Sequence, residues 1–306
     1  MGRGRVSARF ARDGILVVGD VIDDTVVIPA GPIRSDTDTP SAIRRVAGGS
    51  AANTAAWLAE LGAPVVFVGA VNAADVERHS ALLPGVEVHL QGVHAATGAI
   101  VVLVQGQERS MLTDRGANAD LDFDAIPDTL IRGHVHLTGH SLAASDGSAF
   151  ARFVRRAKRA GATVSVSPGS VAYIDALGAA RFGEVIAGAD VVIASRAEGA
   201  ALADAMQAAA AAGRTDAPTL VLTRGAEGVL VDGTHVPAVP APRAVDPTGA
   251  GDAFCAGFLT RWAQDGDAVA AARAGTEVAA RAVGVVGGRP VRTRLRPSSS
   301  PPPAPW

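Results

Sequence analysis

The pattern of apolar and polar positions changes character along the chain, and each change predicts a different kind of element. Short, wholly apolar runs such as 15–19 and 191–194 are typical of strands that are buried on both faces of a sheet. Longer segments with apolar residues three and four positions apart, such as 148–160, indicate helices that pack one face on a core. From residue 130 onward the two kinds of segment alternate, which favours a parallel sheet.

The predicted elements cover most of the chain between its two ends. Strands are predicted at 15–19, 26–28, 65–71, 86–90, 99–104, 134–137, 163–166, 191–194 and 219–222, the last continuing into a hairpin through 236. Helices are predicted at 50–61, 148–160, 176–182, 196–212, 253–262 and 268–283, with a shorter helical segment within 72–85. The expected fold is therefore α/β, with a doubly wound, mainly parallel central sheet and helices on both faces. The regions near 20–45 and 86–115 are expected to form a small β-sheet lid over the cleft.

The domain organisation that follows is simple. Residues 13–292 are expected to form one large domain that includes the lid. The first twelve residues are expected to be disordered, and so is the Pro/Ser-rich tail over 293–306, because it has nothing to bury.

Composition narrows the class of protein. Hydrophobic residues make up 48% of the chain, which is enough for a large core, and the formal net charge of −2 provides no global field that would attract nucleic acid or anionic lipid. No apolar run reaches the length of a membrane span, so we expect a cytoplasmic protein without nucleic-acid or membrane partners. The single cysteine, Cys255, excludes an intrachain disulfide and is expected to be a small buried apolar residue.

Candidate chemistry appears where a glycine-rich loop at 245–254 leads directly into a helix. Gly249, Ala250 and Gly251 can point successive N–H groups into one space at the positive end of the helix dipole, which suits a phosphate or a developing oxyanion. Asp252 lies at the rim, where a carboxylate can take a proton from a hydroxyl that attacks a phosphoryl group. The plain alternative is a glycine-rich turn in which Asp252 is an ordinary helix N-cap.

Polar groups elsewhere are expected to reach the same cleft. Asp20 and Asp23 follow the first buried strand, at the edge where open α/β sheets bind ligands. Gly48 and Gly49 allow close backbone approach to a ligand, and Asn53 projects from the first turn of the helix that follows. Further candidates for a polyhydroxylated substrate are Arg115 and Asn118. His140, after the strand at 134–137, either faces the cleft or is a solvated loop histidine.

Four stretches together resemble one family. The sequences at 48–53 and 246–254 look like the N-terminal and C-terminal signatures of the ribokinase-like, or PfkB, carbohydrate and nucleoside kinases, and the stretches at 110–118 and 223–228 stand in the expected order. The resemblance extends from about residue 13 to residue 291. No P-loop sequence occurs in the chain, so it is not a P-loop kinase.

The resemblance implies a role for each matching residue. Asp252 would be the base, and Gly249, Ala250 and Gly251 would form the anion hole. The sugar would be held by Asp20, Gly48, Gly49 and Asn53. ATP would be bound by Thr223, Gly225 and Gly228, with Mg²⁺ accompanying it, and Ser195 and Glu198 would support the phosphates. A monovalent cation, with K⁺ as the candidate, would lie near Asp246, Thr248, Ala282, Val285 and Gly287.

One departure from the family pattern concerns the nucleotide. The family usually has Asn-x-x-Glu after its fourth core strand, whereas this chain has Ser195-Arg196-Ala197-Glu198. Serine has a shorter reach than asparagine, so a weaker grip on the phosphates is expected.

The sequence leaves three functions open. The leading one is ATP-dependent phosphorylation of a hydroxyl on a small sugar, by an enzyme that forms a homodimer through the lid. The second is a nucleoside kinase, although residues 20–66 contain only Trp57 as an aromatic platform for a base. The third is a member that binds a sugar or nucleotide without catalysis, which the loss of the asparagine at Ser195 motivates.

Overall fold

The computed structural model describes residues 14–105, 108–142, 146–211 and 218–290. The predicted N-terminal and C-terminal extensions, at 1–12 and 293–306, lie outside these residues. No helix in the described part of the chain is long and apolar enough to cross a lipid bilayer.

Nine of the strands in the described residues form one central sheet. Its order is β13-β12-β11-β10-β9-β8-β1-β4-β5, and all neighbours from β11 to β5 pair in parallel. The strands of this sheet are β1 (Ile15–Val18), β4 (Val65–Asn72), β5 (Glu87–Val93), β8 (His134–Thr138), β9 (Thr163–Ser167), β10 (Val191–Ser195), β11 (Thr219–Thr223), β12 (Val229–Val231) and β13 (Thr234–Val236). Only the β11-β12-β13 edge is antiparallel, so the prediction of a mainly parallel sheet is confirmed.

Helices cover both faces of this sheet. They are α1 (Ser50–Glu60), α2 (Val76–Ala81), α3 (Ser148–Arg159), α4 (Val171–Leu177), α5 (Ala179–Val185), α6 (Arg196–Ala211), α7 (Ala250–Asp265) and α8 (Ala268–Ala282). Side chains alternate along β1, so Ile15 and Val17 join one core with α1, α7 and α8, whereas Leu16 and Val18 join a second core with α3 to α6. This is the doubly wound arrangement that the sequence predicted.

Two helix boundaries differ from the predictions. The segment expected to be helical at 176–182 forms the two short helices α4 and α5, because Gly178 between them has a φ of 84° that interrupts regular helical geometry. Helix α7 begins at Ala250, three residues before the predicted start, so that Asp252 lies within its first turn.

A separate four-stranded sheet has the order β3-β2-β6-β7, formed by β2 (Ile22–Pro29), β3 (Ser41–Gly48), β6 (Gly98–Gln105) and β7 (Glu108–Asp114). The sequence analysis missed β3, since most of this strand is exposed and its Arg44 and Arg45 obscure any apolar alternation. Placing the strand near 86–90 in this sheet was wrong. Strand β5 pairs in parallel with β4 at the edge of the central sheet, after a crossover through α2.

Candidate active site

The cleft is centred on Asp252, which lies where the first turns of α1 and α7 meet. The Ser50 hydroxyl donates to Asp252 Oδ1 at 2.6 Å, and Asn53 Nδ2 donates to Asp252 Oδ2 at 2.9 Å. Burial raises the pKa of Asp252 to about 6, although these two hydrogen bonds act in the opposite direction. The N-cap position of α7 belongs to Gly249, so Asp252 is not the ordinary N-cap of the alternative interpretation.

The loop before Asp252 leaves backbone donors free. Gly249 has a φ of 74°, and a Cβ at this position would overlap the backbone of Gly288. Ala250 donates its N–H to the carbonyl of Pro247 at 3.2 Å. The N–H groups of Gly249 and Gly251, by contrast, have no hydrogen-bond partner among the described residues. These two donors, at the start of a sixteen-residue helix, are suited to an anion.

A cavity of about 260 Å³ opens beside Asp252. It extends along the C-terminal edge of the central sheet, from the residues after β8 to the end of β11. Its lining consists of Ser50, His140, Ser167, Gly169, Ile193, Ala194, Ser195, Glu198, Thr223, Gly251, Asp252 and Cys255. The cavity therefore joins the predicted base to three of the residues predicted for the nucleotide.

Those nucleotide residues also have local structural roles. Glu198 accepts the N–H of Ser195 at 2.7 Å while Ser195 Oγ accepts the N–H of Glu198 at 3.3 Å, which is a reciprocal capping box at the start of α6. Thr223 donates its hydroxyl to the carbonyl of Ala194 at 3.3 Å. Ser195, which stands where the family pattern has asparagine, therefore still caps the helix.

The two glycines after β11 are outside the set that lines the cavity. Gly225 and Gly228, both at positive φ, enclose a short 3₁₀ turn that leads into β12. A Cβ at Gly228 would overlap the carbonyl of Val236, so this glycine is needed by the hairpin itself. The structure gives Gly225 and Gly228 a turn-forming role next to Thr223.

Asp20 is fully engaged within the protein. Its carboxylate accepts the N–H groups of Ser50 and Ala51, at 2.7 and 3.1 Å, and the hydroxyl of Thr138 at 2.9 Å. The side chain is buried, and these hydrogen bonds together with the charge of His140 outweigh burial and lower its pKa. Asp20 therefore positions the start of α1, and its direct contact with a sugar stays a prediction.

Asp23 and Asp24 are neighbours on β2 and have different surroundings. The Asp23 carboxylate forms an ion pair with Arg78, at 2.6 and 2.9 Å. The Asp24 carboxylate packs against Gly48, and its Oδ1 is buried without a hydrogen-bond partner among the described residues. Burial and the nearby negative charge of Asp20 raise the pKa of Asp24 to about 7. Adjacent side chains on a strand point to opposite faces, which is why the two carboxylates have such different surroundings. The sequence analysis named Asp23 as a substrate ligand and did not name Asp24, and the role of Asp23 stays a prediction.

Gly48 and Gly49 are required by close approach to other parts of the protein. A Cβ at Gly48 would overlap the Asp24 carboxylate, and Gly49, with a φ of 93°, packs against the backbone of Asp20. Their role in bringing α1 close to β1 and β2 is therefore visible in the fold, whereas direct contact with a sugar stays a prediction.

Arg289 is a site residue that the sequence analysis missed. It donates to Asn53 Oδ1 at 3.2 Å, to the carbonyl of Gly48 at 2.9 Å and to that of Leu82 at 3.0 Å. Burial lowers the pKa of Arg289 to about 10. It fixes the orientation of the Asn53 amide, so that Nδ2 faces Asp252. No local sequence pattern marks this residue, because its partners come from distant parts of the chain.

Arg115 and Asn118 lie after β7 and differ in how many of their polar atoms form hydrogen bonds within the protein. The buried amide of Asn118 accepts the N–H of Val21 at 2.8 Å and donates to the carbonyls of Val21 and Arg115. Asn118 thus ties this segment to the end of β1, and its contact with a substrate stays a prediction. The Arg115 guanidinium lies 5.0 Å from the ring centre of Tyr173, which in turn is 5.2 Å from the ring centre of His140.

Residues of the predicted cation site are partly brought together. Asp246 Oδ1 accepts the N–H and hydroxyl of Thr248 at 2.9 and 2.7 Å, and its Oδ2 accepts the N–H of Gly287 at 3.0 Å. The carbonyl of Ala282 accepts the N–H of Val285 at 3.1 Å. In the described residues, no group of three His, Cys, Asp or Glu side chains forms a metal site.

Comparisons with known proteins identify the family. Residues 12–294 match the family described as pfkB family carbohydrate kinase. The chain is 34% identical over 237 residues to an ATP-dependent ribose-1-phosphate kinase from Halopiger xanaduensis, which covers 73% of this chain and 76% of that protein. It is 29% identical over 294 residues to a 1-phosphofructokinase from Rhodobacter capsulatus, covering 88% and 90% of the two chains.

A solved structure with the same fold is the adenosine kinase from Sinorhizobium meliloti, with a TM-score of 0.78, 24% identity and coverage of 92% of this chain and 97% of that one. That likeness concerns the fold alone. The family match covers nearly the whole described chain and establishes the family as well as the fold. The protein is a phosphotransferase and belongs to the pfkB family of carbohydrate kinases, the ribokinase-like sugar and nucleoside kinases.

Proposed function

We propose that the enzyme transfers the γ-phosphoryl group of ATP to a hydroxyl of a small sugar or sugar phosphate, with Asp252 as the base. The observation that supports this most directly is the position of a buried carboxylate, with a pKa raised to about 6, next to two free loop N–H groups and one shared cavity. A raised pKa brings a carboxylate nearer to the operating pH, where a general base is most effective.

In the proposed reaction, the acceptor hydroxyl replaces Ser50 or Asn53 as a hydrogen-bond donor to Asp252. As its oxygen attacks the γ-phosphorus, the bond to the β–γ bridging oxygen breaks, ADP leaves with the electron pair, and Asp252 takes the proton. The N–H groups of Gly249 and Gly251 stabilise charge on the phosphoryl oxygens. These donors need no reorganisation, because the start of α7 already orients them.

The residues at the cavity fit ATP and magnesium. The free N–H groups suit phosphate oxygens, and Glu198 adds a carboxylate, the oxygen ligand that Mg²⁺ accepts directly or through water. When bound, Mg²⁺ would neutralise charge on the transferring phosphates. The monovalent-cation site stays a prediction, since the Asp246 carboxylate already accepts three donors from Thr248 and Gly287.

The acceptor side supports a polyhydroxylated substrate. Asp24 Oδ1 is a buried acceptor without a partner in the described residues, and an unsatisfied buried acceptor is costly unless a ligand supplies the donor. Sugar hydroxyls are such donors. Both curated relatives also carry the names of kinases for phosphorylated sugars, which supports including sugar phosphates among the acceptors.

A nucleoside is the second candidate. Tyr173 provides an aromatic ring close to His140, although Arg115 lies over that ring. A ring that already carries a guanidinium is a poor stacking platform for a base, so the sugar acceptor is favoured.

The experiment is a panel of sugars, sugar phosphates and nucleosides, tested for ATP-dependent formation of ADP and a phosphorylated product. We expect a sugar or sugar phosphate to be phosphorylated, and the activity to be lost in Asp252→Asn. Absence of any phosphorylated product would overturn the proposal in favour of a binding-only protein. Preference for a nucleoside would establish the second candidate instead.

We also infer that the four-stranded sheet forms a homodimer contact. Large apolar side chains are exposed on its strands, with 45–63% of their surface accessible. The strand register places Ile28 and Met111 on one face of the sheet, and Ile43 and Leu112 on the other. Burial of the face that carries Ile43 and Leu112 between two copies is favourable. Light scattering at increasing concentration should give a dimer that Ile43→Asp dissociates, and a monomer at all concentrations would contradict the inference.

A further inference from the structure

Three side chains at one end of the cleft are not used by the proposed reaction. Arg115 follows β7, His140 lies in a 3₁₀ turn after β8, and Tyr173 belongs to α4. The Arg115 guanidinium and the His140 ring both lie against the Tyr173 ring, at 5.0 and 5.2 Å between centres. These three residues are called the basic cluster below.

The basic cluster contains polar atoms that lack partners. Arg115 Nη2 and His140 Nδ1 are buried without a hydrogen-bond partner among the described residues. Asp20 Oδ1 is 3.7 Å from His140 Nδ1, too far for a hydrogen bond, and Asp20 already accepts from Ser50, Ala51 and Thr138. Buried donors without acceptors are costly, which indicates that a ligand supplies the acceptor.

Arg115 differs in this respect from the other partly buried arginine of the cleft. Arg289 donates to three acceptors, on Asn53, Gly48 and Leu82, and is thereby used for structure. Burial lowers the pKa of Arg115, opposed by the nearby Asp20, but a guanidinium stays protonated in proteins. The cleft thus holds a positive charge that has a free donor.

The basic cluster lies at the acceptor end of the cleft. Parallel strands end along one edge of the sheet, in the order β11, β10, β9, β8, β1. Thr223 and Ser195, proposed for the nucleotide, end β11 and β10, whereas His140 follows β8. Asn118 ties the Arg115 segment to Val21, just after β1. His140 also lines the same cavity as Asp252. A molecule that presents a hydroxyl to Asp252 can therefore extend from there towards Arg115.

Building on the proposed function, we propose that Arg115 and His140 form a binding subsite for a phosphate group that the acceptor already carries. A guanidinium binds a phosphate monoester through two parallel hydrogen bonds, and the Tyr173 ring holds its plane in place. His140 Nδ1 offers a further donor when it carries the hydrogen. The acceptor is then a sugar monophosphate, with its phosphate remote from the attacked hydroxyl, and the product is a sugar bisphosphate.

The test compares phosphorylated and free sugars with the full-length enzyme. Ribose 1-phosphate and fructose 1-phosphate are assayed against ribose and fructose, in the parent, Arg115→Gln and Arg115→Lys. Arg152→Gln is the matched control, because Arg152 is an exposed arginine on α3 that is paired with Asp124. Melting temperatures establish that each variant is folded.

We expect a sugar phosphate to be preferred over its free sugar. Loss of a charge-assisted hydrogen bond should raise KM for the sugar phosphate roughly 10- to 100-fold in Arg115→Gln. KM for the sugar phosphate should rise by a larger factor than KM for ATP or KM for the free sugar, and Arg115→Lys should retain part of the affinity. Arg152→Gln should match the parent in every respect.

Three results would overturn the subsite: preference for the free sugar, an unchanged KM for the sugar phosphate in Arg115→Gln, or an equal rise in KM for ATP, which would assign Arg115 to the nucleotide. Calorimetric binding of ribose 1-phosphate separates this inference from the proposed function. Binding that Arg115→Gln abolishes, in an enzyme that phosphorylates nothing, would support the subsite and reject the kinase reaction. Phosphorylation of free sugars without binding of the phosphorylated ones would do the reverse.

Discussion

The N-termini of two of the helices that begin at the cleft differ in whether their backbone donors have partners. At α1, the free N–H groups of Ser50 and Ala51 are satisfied by the internal carboxylate of Asp20. At α7, the N–H groups of Gly249 and Gly251 have no partner among the described residues. Every helix leaves its first N–H groups without intrahelical partners, and the N-termini of α1 and α7 therefore both attract negative charge. The N-terminus of α1 is called closed below, because Asp20 accepts its N–H groups and this contact stabilises the fold. The N-terminus of α7 is called open, because its N–H groups are available to a ligand.

The comparison also separates two carboxylates. Asp20 lies at the closed N-terminus of α1, with a lowered pKa, and Asp252 lies at the open N-terminus of α7, with a pKa raised to about 6. The charge of His140 and hydrogen bonds from Ala51, Thr138 and Ser50 outweigh burial and lower the pKa of the first, whereas burial dominates and raises the pKa of the second. The carboxylate that the fold leaves less satisfied is the one that can accept a proton.

The largest expected effect comes from removing the base at the open N-terminus. Asp252→Asn keeps the shape of the side chain and removes its basicity, so kcat should fall by about 10²–10⁴-fold with little change in substrate binding. Steady-state kinetics with a confirmed substrate provides the measurement. Asp267→Asn is the control, because Asp267 caps α8 by accepting from Val269 and Ala270 without any catalytic part. Turnover of Asp252→Asn within a few-fold of the parent would contradict the assignment.

The pH dependence of the rate sharpens the same comparison. Asp252 accepts a proton only when it is unprotonated, so kcat/KM should decrease about tenfold per pH unit below pH 6, in line with its pKa of about 6. The lowered pKa of Asp20 keeps that residue charged throughout this range. A profile that stays flat down to pH 4.5 would show that the group with the raised pKa is not needed.

Breaking the closed N-terminus should affect stability more than chemistry. Asp20→Asn removes the charge that accepts from Ser50, Ala51 and Thr138, and hydrogen bonds to charged groups contribute about 1.5–3 kcal/mol. We expect the free energy of unfolding to decrease by about that amount, measured in urea at pH 7. Asp252→Asn should not show this loss, since its raised pKa means that the charged form is disfavoured. Wild-type stability in Asp20→Asn would refute the structural role.

A third carboxylate, Asp24, extends the comparison to the sugar side. Its pKa of about 7 in the folded protein lies above the ordinary value, so the folded state holds a proton that the unfolded state has lost between about pH 4 and pH 7. The free energy of unfolding therefore decreases as pH rises through this window. At pH 8 the free energy of unfolding of Asp24→Asn should be higher than that of the parent by about 1–3 kcal/mol, and at pH 4 the two should be equal. KM for the sugar should rise at the same time.

Asp23 supplies the control for that measurement. The Arg78 hydrogen bonds lower the pKa of Asp23, so its contribution has the opposite sign and is present above the ordinary pKa and lost in acid. Asp23→Asn should therefore lose stability at pH 8, where Asp24→Asn gains it. Equal behaviour of the two variants would mean that the two side chains do not differ as the structure indicates.

Features that depend on neighbouring residues in the chain could be predicted from the sequence, and contacts between distant segments could not. The parallel sheet, its helices and the loop at 249–251 were predictable, because apolar runs, helical spacing and glycine-rich turns are local patterns. Which of Asp23 and Asp24 is buried against Gly48 was not, since it depends on the register of β2 against β3. Arg289 and the partners of Asp20 and Asn118 were equally hidden, because each contact joins segments that are far apart in the chain.

The smallest expected effect concerns the nucleotide end of the cleft, where α6 begins. Its N-terminus is intermediate in character between the closed one of α1 and the open one of α7. Ser195 caps α6 through the N–H of Glu198 and also lines the cavity, so it serves structure and ligand together. Asparagine is as good an N-cap as serine and has a longer reach. Ser195→Asn should therefore leave the free energy of unfolding within about 0.5 kcal/mol of the parent while lowering KM for ATP.

Ser195→Ala is the matched variant, because it removes the cap and adds no reach. It should cost about 1 kcal/mol of stability and should not lower KM for ATP. Thermal melts and ATP titrations of the two variants separate capping from phosphate contact. A higher KM for ATP in Ser195→Asn would mean that the cavity is packed around the shorter side chain. The N-terminus of α6 would then belong with the closed end of α1, because its side chain would be fitted to the fold rather than held ready for a ligand.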